Sequence, residues 1–409
     1  MFKGPKPRLP TAFGHIYSND GRTISPNIVD AARTSFNNAL CKVKPAANVS
    51  LHDLLQRAIK NEEMKVERHE AEDAHLVQGA LMLAMRQFLG DDLKLVSSEQ
   101  LSARMVIPGG QLNFPEGGTS LLEPLLRDLP PDTLLLKQPV CTVRWGDALA
   151  SEDSARAMVI CCTGQVFSAD YIVCTLPLGV LKEYSPRLFP NLPAQKTEAI
   201  AKLGMGRVNA LCLEFEKPFW VPVEDGEVVQ FAFGTKEQTP ETEMKWWHSL
   251  TGLKEIPGNS QTLHGIVAGP GAKLLEDIKE DQIAEDVVQV LRQHTGNPLI
   301  PPPKNVVRST WCSDPKFLGG TSFLGVEARI DHIHNLATPL VDQEGENNPV
   351  ILFAGEATNE THLGTLHGAQ LSGMREADRL ISIVRMQQET EQAAQQIRSP
   401  ETEMSVNMR

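Results

Sequence analysis

No stretch of this 409-residue chain approaches the apolar length that crosses a bilayer, and the opening MFKGPKPRLP holds no signal-peptide core. Clustered positive charge is missing too. Lys and Arg total 39 against 51 Asp and Glu, a net charge of −12, which argues against a nucleic-acid backbone as partner. An acidic surface can steer a cationic small molecule, although such a balance most often serves solubility. None of the seven cysteines (Cys41, Cys141, Cys161, Cys162, Cys174, Cys212, Cys312) stands in Cys-x-x-Cys spacing, so no thiolate metal site is expected. Their odd number and apolar, strand-like settings predict reduced core thiols in a reducing compartment. No Gly-x-Gly-x-x-Gly is spelled anywhere, and no internal repeat occurs. The last four residues, Val-Asn-Met-Arg, are not the peroxisomal Ser-Lys-Leu type, and cytoplasm is the expectation.

What is present is ordinary globular composition, 41% hydrophobic and 22% charged, long enough for two domains with interleaved segments. Residues 27–93 read as helices, with Val29, Ala32 and Phe36 at one spacing and Leu51, Leu54, Leu55 and Ile59 at another. The loop Ile107–Gly110 and the glycines Gly117 and Gly118 precede a helix to Leu129; alone they are a weak phosphate signal, and a turn with a capped helix is the plainer reading. A strand pair is expected over 134–145 with a break at Pro139, then a hairpin over 157–167 and a buried strand over 171–175. Residues 193–203 predict a short helix with its lysines in solvent. Residues 207–220 alternate as a strand, placing Val208, Ala210, Cys212 and Glu214 on one face and Leu211, Leu213 and Phe215 on the other. A helix over 282–294 closes at Gly296, a strand runs over 306–311, and a glycine-rich loop spans 319–323.

The stretch that organises the rest is VILFAGEATNETHLGTLHGAQLSGMREADRL, Val350 to Leu380. Its first four residues predict a buried parallel strand. Small residues at Ala354 and Gly355 let backbone lie close to a flat ligand, and Glu356 can accept hydroxyl hydrogen bonds. Thr365 is a candidate N-cap for a helix whose positive end suits an electron-rich group. Leu366, Ala369, Leu380, Ile381 and Val384 fit one apolar face at helical spacing.

FAGEAT followed by GTLHGAQLSGMREADRL, together with ADYIVCTLPLGVLK, resembles the flavin amine oxidases, closest to the polyamine, spermine and acetylpolyamine oxidases. The resemblance spans nearly the whole chain. It implies a two-domain α/β fold: an FAD-binding sheet from separated segments, plus a mixed-sheet substrate domain with helices. The N-terminal βαβ unit that carries the glycine motif has no counterpart in this sequence. The implied segments are 1–104 (helical part of the substrate domain), 105–180 (FAD domain), 181–305 (substrate sheet and helices), 306–385 (FAD domain again) and 386–409 (a polar tail).

By the same resemblance, FAD would touch Glu356 at its ribityl and diphosphate region, Thr365 and Leu366 at the flavin pyrimidine edge, Trp311 beside the flavin, and Val140 at the adenine. Thr321 and Phe323 stand where the family has two aromatics walling the substrate tunnel. His362 and His367 flank the flavin-facing loop; His367 matches the family, and a histidine on such a helix is more often a satisfied core group than a base. No activating neighbour is expected for Cys312, which speaks against a covalent flavin link there. Ala210 occupies the position of a family lysine that holds a water near the flavin, and Lys202 and Lys217 are too far along the chain to replace it. The implied activity is oxidation of spermine, spermidine or acetylated forms to an imine or aldehyde with H2O2. The alternative is an inactive relative that binds a ligand or partner or has no essential role. The lack of a long helical insertion and of a basic face disfavours a histone-lysine demethylase.

Overall fold

The computed structural model describes residues 15–62, 64–103, 114, 117–146, 155–220, 230–233, 243–256, 258–341 and 349–397. The expected loop at Ile107–Gly110 lies outside them. Alternation decides the largest sheet. Val208–Glu214 buries Asn209, Leu211 and Leu213 and leaves Val208, Ala210, Cys212 and Glu214 half-buried. It runs antiparallel between Asn259–Ala268 and Asn305–Arg308, with Leu213 opposite Leu263 on one side and Val306 on the other. Gly252–Ile256, Gln230–Phe233 and, in parallel, His15–Tyr17 complete six strands. Helices Pro270–Glu276 and Glu280–Thr295 share a core cluster with this sheet through Ala272, Leu275, Ile283 and Val287. Gly296, at φ 67°, closes the longer one where the sequence puts it.

The helical stretch resolves into Pro26–Lys42, Leu51–Lys60 and Ala71–Leu89. Ser50 accepts a hydrogen bond from the Asp53 N–H and caps the second; Gly90, at φ 95°, ends the third. Phe36, Leu40, Leu55, Val77 and Leu81 form their common core, and Phe323 is buried in it.

A smaller sheet lies at the other end of the chain. Pro349–Phe353 runs parallel to Ile172–Cys174 and antiparallel to Leu340–Val341. Residues Val350 to Phe353 are at most 1% exposed, which is why that strand reads as a continuous apolar run. Its neighbour is less covered, for Val173 is 40% exposed. Helices Leu178–Leu188, Ala194–Lys202 and Ile330–Ala337 pack against this sheet. Lys196 corrects the solvent-facing expectation. It is 3% exposed, and its Nζ donates to the carbonyls of Asn335, Leu336 and Thr338 at 3.0, 2.8 and 2.7 Å. Those carbonyls sit at a helix end without intrahelical donors, and a cation satisfies all three at once.

Four further expectations change. Pro139 and Lys137, which has a φ of 59°, keep 134–139 out of any strand, so the paired strand is Val140–Trp145. It joins Ala157–Cys161 and Val166–Ala169 as the predicted hairpin with one added strand. The hairpin returns Cys162 to within 5.2 Å of Cys141 (Cα–Cα), and the two are disulfide-bonded, so only the other five cysteines are free thiols. Finally, Thr321–Leu324 is a strand pairing Leu203–Gly206, where a loop was expected, and Trp311 opens a turn beyond the strand that ends at Arg308.

Candidate active site

The buried strand Pro349–Phe353 leaves the core through Ala354 and Gly355. Gly355 has a φ of 129°, and nothing lies within 4 Å of where a Cβ would be, so open space adjoins bare backbone. Glu356 Oε2 accepts the Gly364 N–H at 2.7 Å and the Ser322 hydroxyl, tying the strand's exit to the approach of the last helix. That helix is Leu366–Ile397. Thr365 caps it as predicted: its Oγ1 accepts the Gly368 N–H at 3.0 Å and donates to the His362 carbonyl at 2.8 Å. Among the described residues, no acceptor meets the N–H of Leu366 or His367, and Leu366 is 67% exposed. The described residues therefore leave the positive end of the helix uncapped at Leu366 and His367.

The same helix overturns the expected apolar stripe. Its buried face is Gly368, Ser372, Glu376 and Ile383, while Ile381 and Val384 are exposed. Ser372 Oγ accepts the Gly355 N–H at 2.8 Å. Glu376, fully buried, accepts from Arg375 at 2.5 Å and Arg379 at 2.9 Å. Arg375 in turn donates to the carbonyls of Phe353 and Thr358, both at 2.8 Å. The irregular backbone after the strand carries polar groups that need partners, and this face of the helix supplies them.

Trp311 lies in a turn and is 38% exposed. Its N–H donates to Asn209 Oδ1 at 2.9 Å, and its carbonyl accepts the Gly319 N–H at 2.8 Å. Next to it, burial and the Glu276 carboxylate push the Cys312 thiol up to about 12, so no thiolate is available there. Ala210 is bonded through its N–H to Ser309 Oγ at 2.8 Å and presents only a methyl group on the half-buried strand face.

Thr321 is half-buried among glycines. Its Oγ1 donates to the Gly364 carbonyl at 3.1 Å, and a Cβ at Gly90 would come within 2.2 Å of its methyl. Phe323 is 4% exposed, with its ring laid on Gly204. Val140 is half-buried at the start of its strand, opposite Cys161. His362 and His367 have ring centroids 6.3 Å apart; burial first, and His367 second, lower the His362 pKa and keep it neutral at pH 7. Of the residues proposed from sequence, Glu356 and Thr365 meet at Gly364, with Thr321 bonded to the same glycine. Trp311 joins them through Gly319 and Gly320, which lead to Thr321. Val140 sits on a separate sheet. The supporting residues that sequence reasoning passed over are Asn209, Glu276, Ser322, Ser372 and Arg375. Asn209 alone left a trace, a polar residue on the buried side of an alternating strand.

A surface cleft of about 630 Å³, bordered by Glu198, Lys202, Glu327, Arg329 and His332, shares none of these residues. Among the described residues no cluster of His, Cys, Asp or Glu could hold a metal, and no helix is long and apolar enough to cross a membrane.

Comparison with known proteins adds what geometry cannot. The family profile described as flavin containing amine oxidoreductase matches residues 9–381. The peroxisomal N(1)-acetyl-spermine/spermidine oxidase of Bos taurus is 37% identical over 300 residues, covering 71% of this chain and 59% of that protein. Its Homo sapiens counterpart is 36% identical over 302 residues with the same coverage. Protein anon-37Cs of Drosophila lebanonensis is 29% identical over 394 residues, covering 90% and 72%. The match thus spans about 59% of the length of the two mammalian relatives. Their names carry the word peroxisomal, where the sequence alone leads to cytoplasm.

Proposed function

This chain belongs to the flavin containing amine oxidoreductases, with the two-domain α/β fold of that family, and from that premise we propose that it serves FAD-dependent oxidation of polyamines. The substrates proposed are spermine, spermidine or their acetylated forms; the products are an amine, an aldehyde and H2O2. The observation that carries the reading is the helix start at Thr365 and Leu366, open at its positive end, beside the bare backbone of Gly355.

These residues fit a flat, electron-rich ring. The Leu366 and His367 N–H groups would stabilise negative charge at the pyrimidine edge. The exposed faces of Leu366 and Trp311 would be covered by the ring and keep water from it. Glu356, held by Gly364 and Ser322, would lie at the ribityl and diphosphate region and meet the ribityl hydroxyls, and Val140 would meet the adenine through its backbone. When bound, FAD supplies the acceptor for the hydride equivalent lost from the carbon beside the amine. The acidic balance of the chain, −12, favours approach of a polycation, which must shed a proton at the reacting nitrogen. Thr321 and Phe323 would shape the substrate side from behind, through their packing on Gly364 and Gly204.

The test is a flavin absorbance spectrum of the purified chain reconstituted with FAD. Yellow protein that bleaches anaerobically with N1-acetylspermine or spermine supports the proposal. Folded protein that stays colourless and turns nothing over supports the second reading, a non-catalytic relative that binds a ligand. That reading is favoured by Ala210, which leaves no ammonium on the strand where the family carries one.

A further inference from the structure

A strand residue on a buried sheet face is ordinarily apolar, because a polar group there must find every hydrogen bond inside the protein. Asn209 is fully buried and finds them. Its Nδ2 donates to the Ala272 carbonyl at 2.9 Å and to Glu276 Oε1 at 2.8 Å; its Oδ1 accepts the Ser309 hydroxyl at 2.8 Å and the Trp311 N–H at 2.9 Å. Glu276, whose side chain is 2% exposed, accepts the Cys312 N–H at 2.7 Å with the same Oε1 and Lys273 Nζ at 3.3 Å with Oε2. Burial works against this carboxylate, but the bonds from Asn209, Ser313, Cys312 and Lys273 outweigh it and hold its pKa below the ordinary glutamate value. Two consecutive backbone N–H groups are thus held by side chains from a strand and a helix. With its carbonyl held by Gly319, Trp311 is fixed at both ends, and only its own side-chain torsions remain.

We propose that Asn209 is the positioning residue for Trp311: locked to Glu276, it fixes the Trp311–Cys312 turn and so sets where the indole stands at the protein surface. Cofactor positioning as the purpose of this arrangement rests on the flavin reading above; the arrangement itself does not. A hydrophobic residue would pack the same strand position without dictating a turn 102 residues away. The amide–carboxylate pair is directional, and its direction points to the one tryptophan in that turn.

The test uses the full chain without cofactor, labelled with 15N, and has two readouts. In the unaltered protein, the Trp311 and Cys312 amides exchange about 100-fold or more slower than an open turn would, because opening must break the bonds to Asn209 and Glu276. In Asn209→Asp, the indole N–H signal assigned to Trp311 (by its loss in Trp311→Phe) shifts while that of Trp145 stays. Glu276→Gln, whose amide oxygen still accepts from Asn209 Nδ2 and the Cys312 N–H, leaves the signal in place. With FAD bound, Asn209→Asp displaces the flavin absorption band and Glu276→Gln leaves it in place. Amides exchanging as in an open turn, or a Trp311 signal untouched by Asn209→Asp, overturn the proposal. Should that variant fail to fold, amide exchange in the unaltered chain decides alone. A chain that binds no FAD sinks the flavin reading, while both cofactor-free readouts still judge this one.

Discussion

Three residues carry expectations of their own. The Lys196 ammonium has three N–H bonds and three carbonyl acceptors, and it lies 3.8 Å from the Phe353 ring centroid. Burial pushes its pKa down to about 7, yet a neutral amine has two N–H bonds and would leave one carbonyl unmet; the site is built for the ammonium. Lys196→Met should therefore cost about 2–4 kcal/mol in urea unfolding, from uncapped carbonyls rather than lost packing. Glu276 predicts a pH dependence. Its pKa is lower folded than unfolded, so as pH falls the unfolded chain takes the proton first. The stability it contributes is present above the ordinary glutamate value and is lost as pH drops through the lower folded value. Thermal midpoints taken from pH 6 downward should fall less steeply in Glu276→Gln; parallel curves would refute the assignment. Ala210→Lys belongs to the flavin reading: in FAD-loaded protein bleached without oxygen, colour should return faster on admitting air, and equal rates would count against a role for that position.

At the scale of elements, burial separates two uses of Phe323. Its ring covers Gly204 and completes the helical core, so Phe323→Ala should lose about 3–5 kcal/mol. A wild-type melting curve combined with a raised KM for polyamine would instead make it a tunnel wall. The elements that sequence made legible are those with strong local pattern: the apolar run at Val350–Phe353, the alternation of Val208–Glu214, the cap at Thr365 and the left-handed stop at Gly296. What sequence hid depends on partners far along the chain. Lys196 meets Leu336 across 140 residues, and Asn209 meets Glu276 across 67. No window of a dozen residues contains either pair. The last helix misled for a different reason. Its apolar positions keep helical spacing, but the backbone of the strand exit claims the polar face instead, through Ser372 and Arg375.

At the scale of the whole molecule, three core clusters must be held in register if Trp311, Gly355 and Thr365 are to share one ligand. The joint is narrow. Gly206 lies so close to Gly90 that an added Cβ would come within 2.5 Å of its carbonyl oxygen, and the Ser97 N–H donates to the Leu324 carbonyl at 2.8 Å. Between them Asp91, 2% exposed at the end of the helical block, takes Arg207 Nε at 2.9 Å, Nη2 at 2.6 Å and the Arg207 N–H at 3.1 Å. Arg207 immediately precedes the strand that carries Asn209. The guanidinium side chain is 37% exposed, so water screens part of the attraction, and Asp91→Ala should cost about 2 kcal/mol rather than the 3–5 of a fully buried pair. The cost should not be spread evenly. Losing the joint should let the helical block open before the six-stranded sheet, so amides of Ala71–Leu89 should exchange faster in the variant while those of Val208–Glu214 keep their rate. Equal acceleration in both would mean that the clusters unfold as one unit and that Asp91 stabilises the whole fold without linking its parts.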